Sequence, residues 1–159
     1  VGVSVYNEDE INKILKIKKP DIIQLPINIL DQKLLKNGLL KKIKNKKIEI
    51  HARSIFLRGL LFYKSKQLQT FFPELSEEFN YLNKIATDMN LNIAQLSLLW
   101  VSKIVEIDKI IIGVTSSYEL KQNLNVLKKN LNKNYFEKIK KININNNNIT
   151  NPSKWKKKF

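Results

Sequence analysis

Short apolar runs alternate with amphipathic helical patterns along this chain, and that alternation limits the fold more than any other feature. Val1 to Val5 is apolar and β-branched. Asn7 then reads as an N-cap, with Glu8, Asp9 and Glu10 in the first turn, where the helix dipole favours negative charge. Ile11, Ile14 and Leu15 recur at helical spacing, so the pattern predicts a helix to Ile17, and Lys19-Pro20-Asp21 breaks it. Asp21 to Leu25 reads as a second strand. Leu35, Leu39 and Ile43 share one face of a second helix, in which Gly38 is a weakness. Ile48 to Ala52 is the third strand, and Leu60 to Tyr63 follows a looped passage. Leu75, Phe79, Leu82, Ala86 and Met89 then repeat as a helical stripe, which reads as core packing rather than a site. Asn92 caps a further helix to Ile104, with Trp100 filling space between helices. Lys109 to Val114 is a fourth apolar strand, Tyr118 to Lys128 a helix after it, and Phe136 to Lys141 a short helical turn. Asn143 to Asn148 and Lys154 to Phe159 read as loop or frayed terminus, with Trp155 pinning the tail.

The order β-α-β-α-β-α-α-β-α argues for a parallel sheet with crossover helices. Two architectures fit: a doubly wound open sheet, or part of a (β/α)8 barrel. A doubly wound nucleotide-binding sheet carries a glycine-rich first βα turn. This chain has four glycines, none in such an array, so the barrel is preferred. The 159 residues suit one body, expected as a half-barrel over 1–142 and a polar, basic tail over 143–159. Val1 falls inside a strand pattern with no methionine before it, which is expected of a piece cut from a longer chain.

The formal charge of +15 invites a nucleic-acid reading. The excess is nearly all lysine, with Arg53 and Arg58 the two arginines, and it travels with abundant asparagine and isoleucine, as in A/T-rich coding sequence. The lysines are scattered over helix surfaces without interleaved aromatics, so a solvated surface is expected and no nucleic-acid partner. No apolar run nears the ~20 residues of a membrane helix, so no membrane partner is expected. Cysteine is absent, which removes disulfides and thiolate metal sites and suits the cytoplasm; no metal site is expected.

In a barrel of this kind, function sits where the strands end. Ser4 and Tyr6 follow the first strand, Gln24 and Asn28 the second, Arg53 and Ser54 the third, and Gly113, Thr115, Ser116 and Ser117 the fourth. Such a rim suits a polar organic ligand. The last turn, Gly-Val-Thr-Ser-Ser before a helix, offers small residues and free N–H groups for a phosphate.

These residues also resemble a known family. Val1-Gly2-Val3-Ser4 is similar to the fifth barrel strand of the aldo/keto reductases, and Ile23-Gln24 with Pro26 and Asn28 to the sixth. The stretch Ala52-Arg53-Ser54-Ile55-Phe56-Leu57-Arg58-Gly59-Leu60-Leu61 resembles the seventh strand. Ile111-Ile112-Gly113-Val114-Thr115-Ser116-Ser117, with Leu120, Gln122 and Asn123, resembles the eighth, and Pro152 and Trp155 sit where relatives close. The resemblance runs in order along essentially the whole chain. It implies the C-terminal half of a (β/α)8 TIM barrel and stereospecific hydride transfer between nicotinamide and a carbonyl. By the same resemblance, Ser4 and Gln24 hold the nicotinamide carboxamide, and Ser54, Phe56 and Arg58 run beside the pyrophosphate. Gly113, Thr115, Gln122 and Asn123 take the adenosine end. Arg53 stands where the family stacks a tyrosine on the nicotinamide; a guanidinium there would disfavour the oxidised, cationic ring. Val5 replaces an asparagine that contacts the carboxamide. Glu119 stands where many NADP-preferring relatives place a basic residue, so NAD is an alternative to the family's NADP.

The family's catalytic Asp, Tyr, Lys and His belong to strands one to four, which this chain does not contain; no catalytic residue is expected here, and the chain alone is expected to be inactive. His51, the single histidine, lies within a strand and reads as packed or surface. The expected whole is a cytoplasmic NAD(P)H-dependent oxidoreductase reducing an aldehyde, ketone or sugar to an alcohol, a monomer or weak oligomer. A non-catalytic cofactor-binding or regulatory protein on the same fold is the alternative.

Overall fold

In the computed structural model, which describes residues 1–142, 144 and 146–155, the Asn7 side chain accepts the Glu10 N–H at 2.9 Å and so opens α1 (Glu8–Ile17) after β1 (Gly2–Ser4). Positions 143, 145 and 156–159, read from sequence as loop or frayed terminus, lie outside the described residues. Strand β2 is Ile22–Pro26. The single helix expected next is two, α2 (Lys33–Lys36) and α3 (Leu39–Asn45), because Gly38 takes φ 75°, a left-handed conformation that ends a helix rather than continuing it. Strand β3 is Glu49–Arg53, followed by 3-10 turns over Leu57–Phe62, interrupted at Arg58 and Gly59. Helix α4 (Ser65–Phe71) was not evident in the sequence: Leu68 alone among its apolar residues is buried, too little for a stripe. Helices α5 (Ser76–Asp88) and α6 (Ile93–Val101) precede β4 (Lys109–Ile110), and α7 (Ser117–Leu127), α8 (Lys133–Lys140) and α9 (Asn147–Thr150) complete the order.

The described strands form one parallel sheet in the order β1-β2-β3-β4, each paired with its neighbour in sequence. A doubly wound sheet reverses its order at a switch point; a barrel wall does not. Side chains alternate across the sheet. Ile23, Leu25, Ile50 and Ala52 are fully buried on the core face, while Ile22, Gln24, Pro26, Glu49, His51 and Arg53 are half-buried on the other. That second face is open, so the strands are not buried on both sides as their apolar composition suggests. Helix α6 lies in the core, with Trp100 fully buried, stacked 5.6 Å from the Phe136 ring and donating to the Phe136 carbonyl. The α5 stripe packs as expected, Leu75, Phe79, Leu82 and Ala86 buried and Met89 against the core.

Two segments differ from expectation. The fourth strand is shorter than 109–114: Ile111 N–H still donates to the Ala52 carbonyl at 2.8 Å, but Ile111 and Val114 are exposed, because β4 is an edge of the described sheet. The asparagine-rich tail packs where it is described. Ile144, Ile149 and Thr150 are buried, and the Trp155 ring lies 5.3 Å from that of Phe72 while its Nε1 donates to the Ile149 carbonyl. Apolar residues isolated among asparagines give no periodic signal, so the sequence conceals this packing.

Candidate binding site at the strand ends

Because the four strands are parallel, their C-terminal ends lie at one end of the sheet, and the rim residues read from the sequence gather there. Ser4 pairs with Gln24 and Gln24 with His51 in one rung of the register, and Arg53 pairs with Pro26 two residues nearer the C-terminal end. Ser4 is exposed and Gln24 half-buried. Arg53 is held in place: Nη1 donates to Ser54 Oγ and Nη2 to the Val5 carbonyl, each at 3.1 Å, and its Cζ lies 4.3 Å from the centroid of the Tyr6 ring. Its buried Nε has no partner among the described residues.

The loops under this end are tied by buried polar side chains. Asn28, fully buried, donates to the Ser54 carbonyl and accepts from the N–H groups of Leu30 and Asp31. It positions the loops after β2 and β3 and has no free polar atom to offer a ligand. Ser97 on α6 does similar work, accepting from Ile29 N–H and donating to the Ile55 carbonyl. Sequence reading missed Ser97, because a serine inside an apolar helix looks like a neutral substitution. Ser54, Leu57, Arg58 and Gly59 all have positive φ, so the loop after β3 is tightly coiled, at roughly 1 kcal/mol or more for each non-glycine residue. It leaves Arg58 exposed and sets Phe56 half-buried, its ring 5.1 Å from that of Phe62.

At the fourth strand, Gly113, Thr115 and Gln122 are exposed and Asn123 is 6% exposed, with its Nδ2 buried and unpartnered among the described residues. Ser116 caps α7 by accepting the Glu119 N–H at 3.1 Å. The Glu119 carboxylate folds back onto Thr115, accepting its N–H at 2.8 Å and its hydroxyl at 3.0 Å. An N–H group that the sequence offered to a phosphate is thus already held by a carboxylate of the same helix.

A cavity of about 480 Å³ opens beside the rim, lined by Tyr6, Pro26, Arg53 and Ser54 at the strand ends, by Asp31 near α2 and by Thr150 of the tail. Burial raises the Asp31 carboxyl above its ordinary value, against the opposing pull of Lys33. His51 lies on the open face in the same rung as Ser4 and Gln24, its Nε2 2.8 Å from Glu49 Oε1, which also lies 2.8 Å from Lys109 Nζ. The Lys109 hydrogen bond, then that of His51, holds Glu49 down at about 2. His51 is therefore part of a hydrogen-bonded cluster on Glu49, and no group of three or more metal-ligating side chains occurs among the described residues. No helix of the described residues is long and apolar enough to cross a membrane.

Comparison with known proteins bears on the fold and the family. The chain is 24% identical over 151 residues to L-glyceraldehyde 3-phosphate reductase of Escherichia coli strain K12, a match covering 80% of this chain and 44% of that enzyme. The same enzyme from strain O157:H7 matches to the same extent. A solved thermostable aldo-keto reductase, in complex with the inhibitor epalrestat, superposes at a TM-score of 0.65 with 20% identity, over 89% of this chain and 47% of that one. The glycerol dehydrogenase of Gluconobacter oxydans superposes at 0.64 with 16% identity, over 99% of this chain and 51% of its own. The chain thus spans about half the length of the relatives it matches, and its sheet is half of a (β/α)8 barrel. Since the sequence model of the aldo/keto reductase family matches residues 1–144, the chain belongs to that family.

Proposed function

We propose that this chain is the cofactor-holding, C-terminal half of an NAD(P)H-dependent oxidoreductase that reduces a small carbonyl compound to an alcohol in the cytoplasm. The observation that carries the reading is the pairing of Ser4 with Gln24 near the strand ends, two residues short of Arg53, which with Ser54 lines a cavity of about 480 Å³. The residues fit a dinucleotide. Ser4 and Gln24 offer a hydroxyl and an amide for the carboxamide, and Ser54, Phe56 and Arg58 border the path of the pyrophosphate. Gly113, Thr115 and Gln122 stand exposed for the adenosine end, beside the unpartnered Asn123 amide. When bound, the dinucleotide supplies the hydride that the carbonyl carbon accepts. The residues of this chain bind and orient the dinucleotide; the family's acid–base residues have no counterpart among them, so the chain by itself is expected to be inactive.

Family membership favours NADP, whereas the carboxylate of Glu119 at the start of α7 favours NAD. The engagement of Arg53 by Val5 and Ser54 supports a second reading, a non-catalytic cofactor-binding protein on the same fold. Titration of the chain with NADPH and NADH, followed by cofactor fluorescence, tests the proposal. Binding is expected, and Gln24→Ala should weaken it about tenfold by removing a hydrogen bond to the carboxamide. Failure to bind either dinucleotide overturns both readings. Finding the family's tyrosine absent from the complementary half-barrel would decide for the second.

A further inference from the structure

We propose that Tyr6, backed by Arg53, is the ring-binding platform of this site and selects a planar ring without positive charge. Under the function proposed above, on which this rests, that ring is the reduced nicotinamide rather than the oxidised one. The Arg53 guanidinium lies against the Tyr6 ring at 4.3 Å and cannot swing away without breaking its bonds to Ser54 Oγ and the Val5 carbonyl. The ring it backs is 59% exposed and lines the 480 Å³ cavity, so aromatic surface remains available to a ligand. The Tyr6 backbone is itself anchored, its main-chain N–H donating to Glu10 Oε2 at 2.7 Å.

The face of an aromatic ring ordinarily attracts a cation. Here a cation already occupies that position. A ligand ring stacked on the far side of Tyr6 would sit roughly 8 Å from a fixed positive charge in a partly desolvated site, close enough for repulsion to reach tenfold in affinity. Glu8, Asp9 and the half-buried Asp31 line the same cavity and pull the other way, while Lys33 and Lys154 line it beside them and act with Arg53. Glu8 and Asp9 are exposed, and Glu8 is held by the Asn37 amide at 2.7 Å, so solvent and salt screen these two more than the half-buried Arg53. The tyrosine missing from the strand-three position is thereby replaced in space by one from the first loop, with a charge behind it.

Oxidised and reduced dinucleotides share every group except the ring, so the ratio of their dissociation constants isolates the platform. The chain is titrated with NADH and NAD⁺, and with the 2′-phosphorylated pair, by calorimetry. The parent is expected to favour the reduced form roughly tenfold, and Arg53→Met, with an unchanged melting curve, to bring the ratio near one. Should Arg53→Met fail to fold, Tyr6→Leu at the exposed position is expected to weaken the reduced form about tenfold, with Tyr6→Phe restoring it. A parent ratio near one, a ratio unmoved by Arg53→Met, or full affinity in Tyr6→Leu overturns the platform and leaves the cofactor reading intact. Binding of no dinucleotide at all overturns both.

Discussion

On the open face of the sheet, one carboxylate oxygen of Glu49 lies 2.8 Å from both His51 Nε2 and Lys109 Nζ. With its pKa held at about 2, below the 4.5 of an unperturbed glutamate, Glu49 favours the fold fully above pH 4.5 and loses that contribution as pH falls towards 2. Asp108 acts in the same sense: burial raises its pKa, but Lys44 and the Ile50 N–H more than offset this and leave it lowered. Melting temperature followed by circular dichroism from neutral pH to about 2 should therefore fall more shallowly in Glu49→Gln than in the parent. Identical profiles would show that the cluster does not couple to folding. The sequence placed His51 within a strand and away from the rim. Glu49 and His51 share one face of β3 two residues apart, but Lys109 joins them only through strand register, so the full cluster was not legible.

Helix α7 illustrates how an element can carry two competing anions at one end. Its dipole and the Thr115 N–H suit a phosphate, but the Glu119 carboxylate occupies that donor. Glu119→Gln is expected to raise the affinity for a 2′-phosphorylated dinucleotide over its unphosphorylated counterpart by roughly tenfold, with about 1 kcal/mol of stability lost from the helix end. Fluorescence titration with both cofactors checks the first, and urea unfolding the second. An unchanged cofactor ratio would mean that the 2′ group does not approach this helix. Elements with a strong periodic signal, such as α1 and α5, were legible from the sequence, as were the Asn7 and Asn92 caps, whereas Ser116, read as a rim residue, proves to be the cap of α7. Gly38 appeared as a weakness but acts as a break, since its left-handed φ becomes visible only once the chain has to turn towards β3. The coiled loop of Ser54 to Gly59 was not legible, because Ser54, Leu57 and Arg58 give no local hint of positive φ. It is imposed from outside, by Asn28 and Ser97 gripping the carbonyls of Ser54 and Ile55.

At the scale of the molecule, β1 and β4 are the edges of the sheet among the described residues, and the face carrying Gln24, His51 and Arg53 is open. Parallel edges of this kind template further pairing. The 159-residue chain expressed alone is therefore expected to self-associate, as size-exclusion chromatography with light scattering would reveal. A monodisperse monomer with a sharp thermal transition would count against that.

The ladders of this sheet are unequal in length. Strands β2 and β3 share five paired positions, β1 and β2 three, and β3 and β4 two. The sheet is thus well knitted at its centre and thin at its margins, yet Ser4 and the Gly113–Ser117 turn are mounted on those margins. A long ligand reaching from one to the other would behave as a cross-brace. Much of its binding energy would go into holding the outer strands in place, and the chain would grip it no more firmly than its margins stay closed.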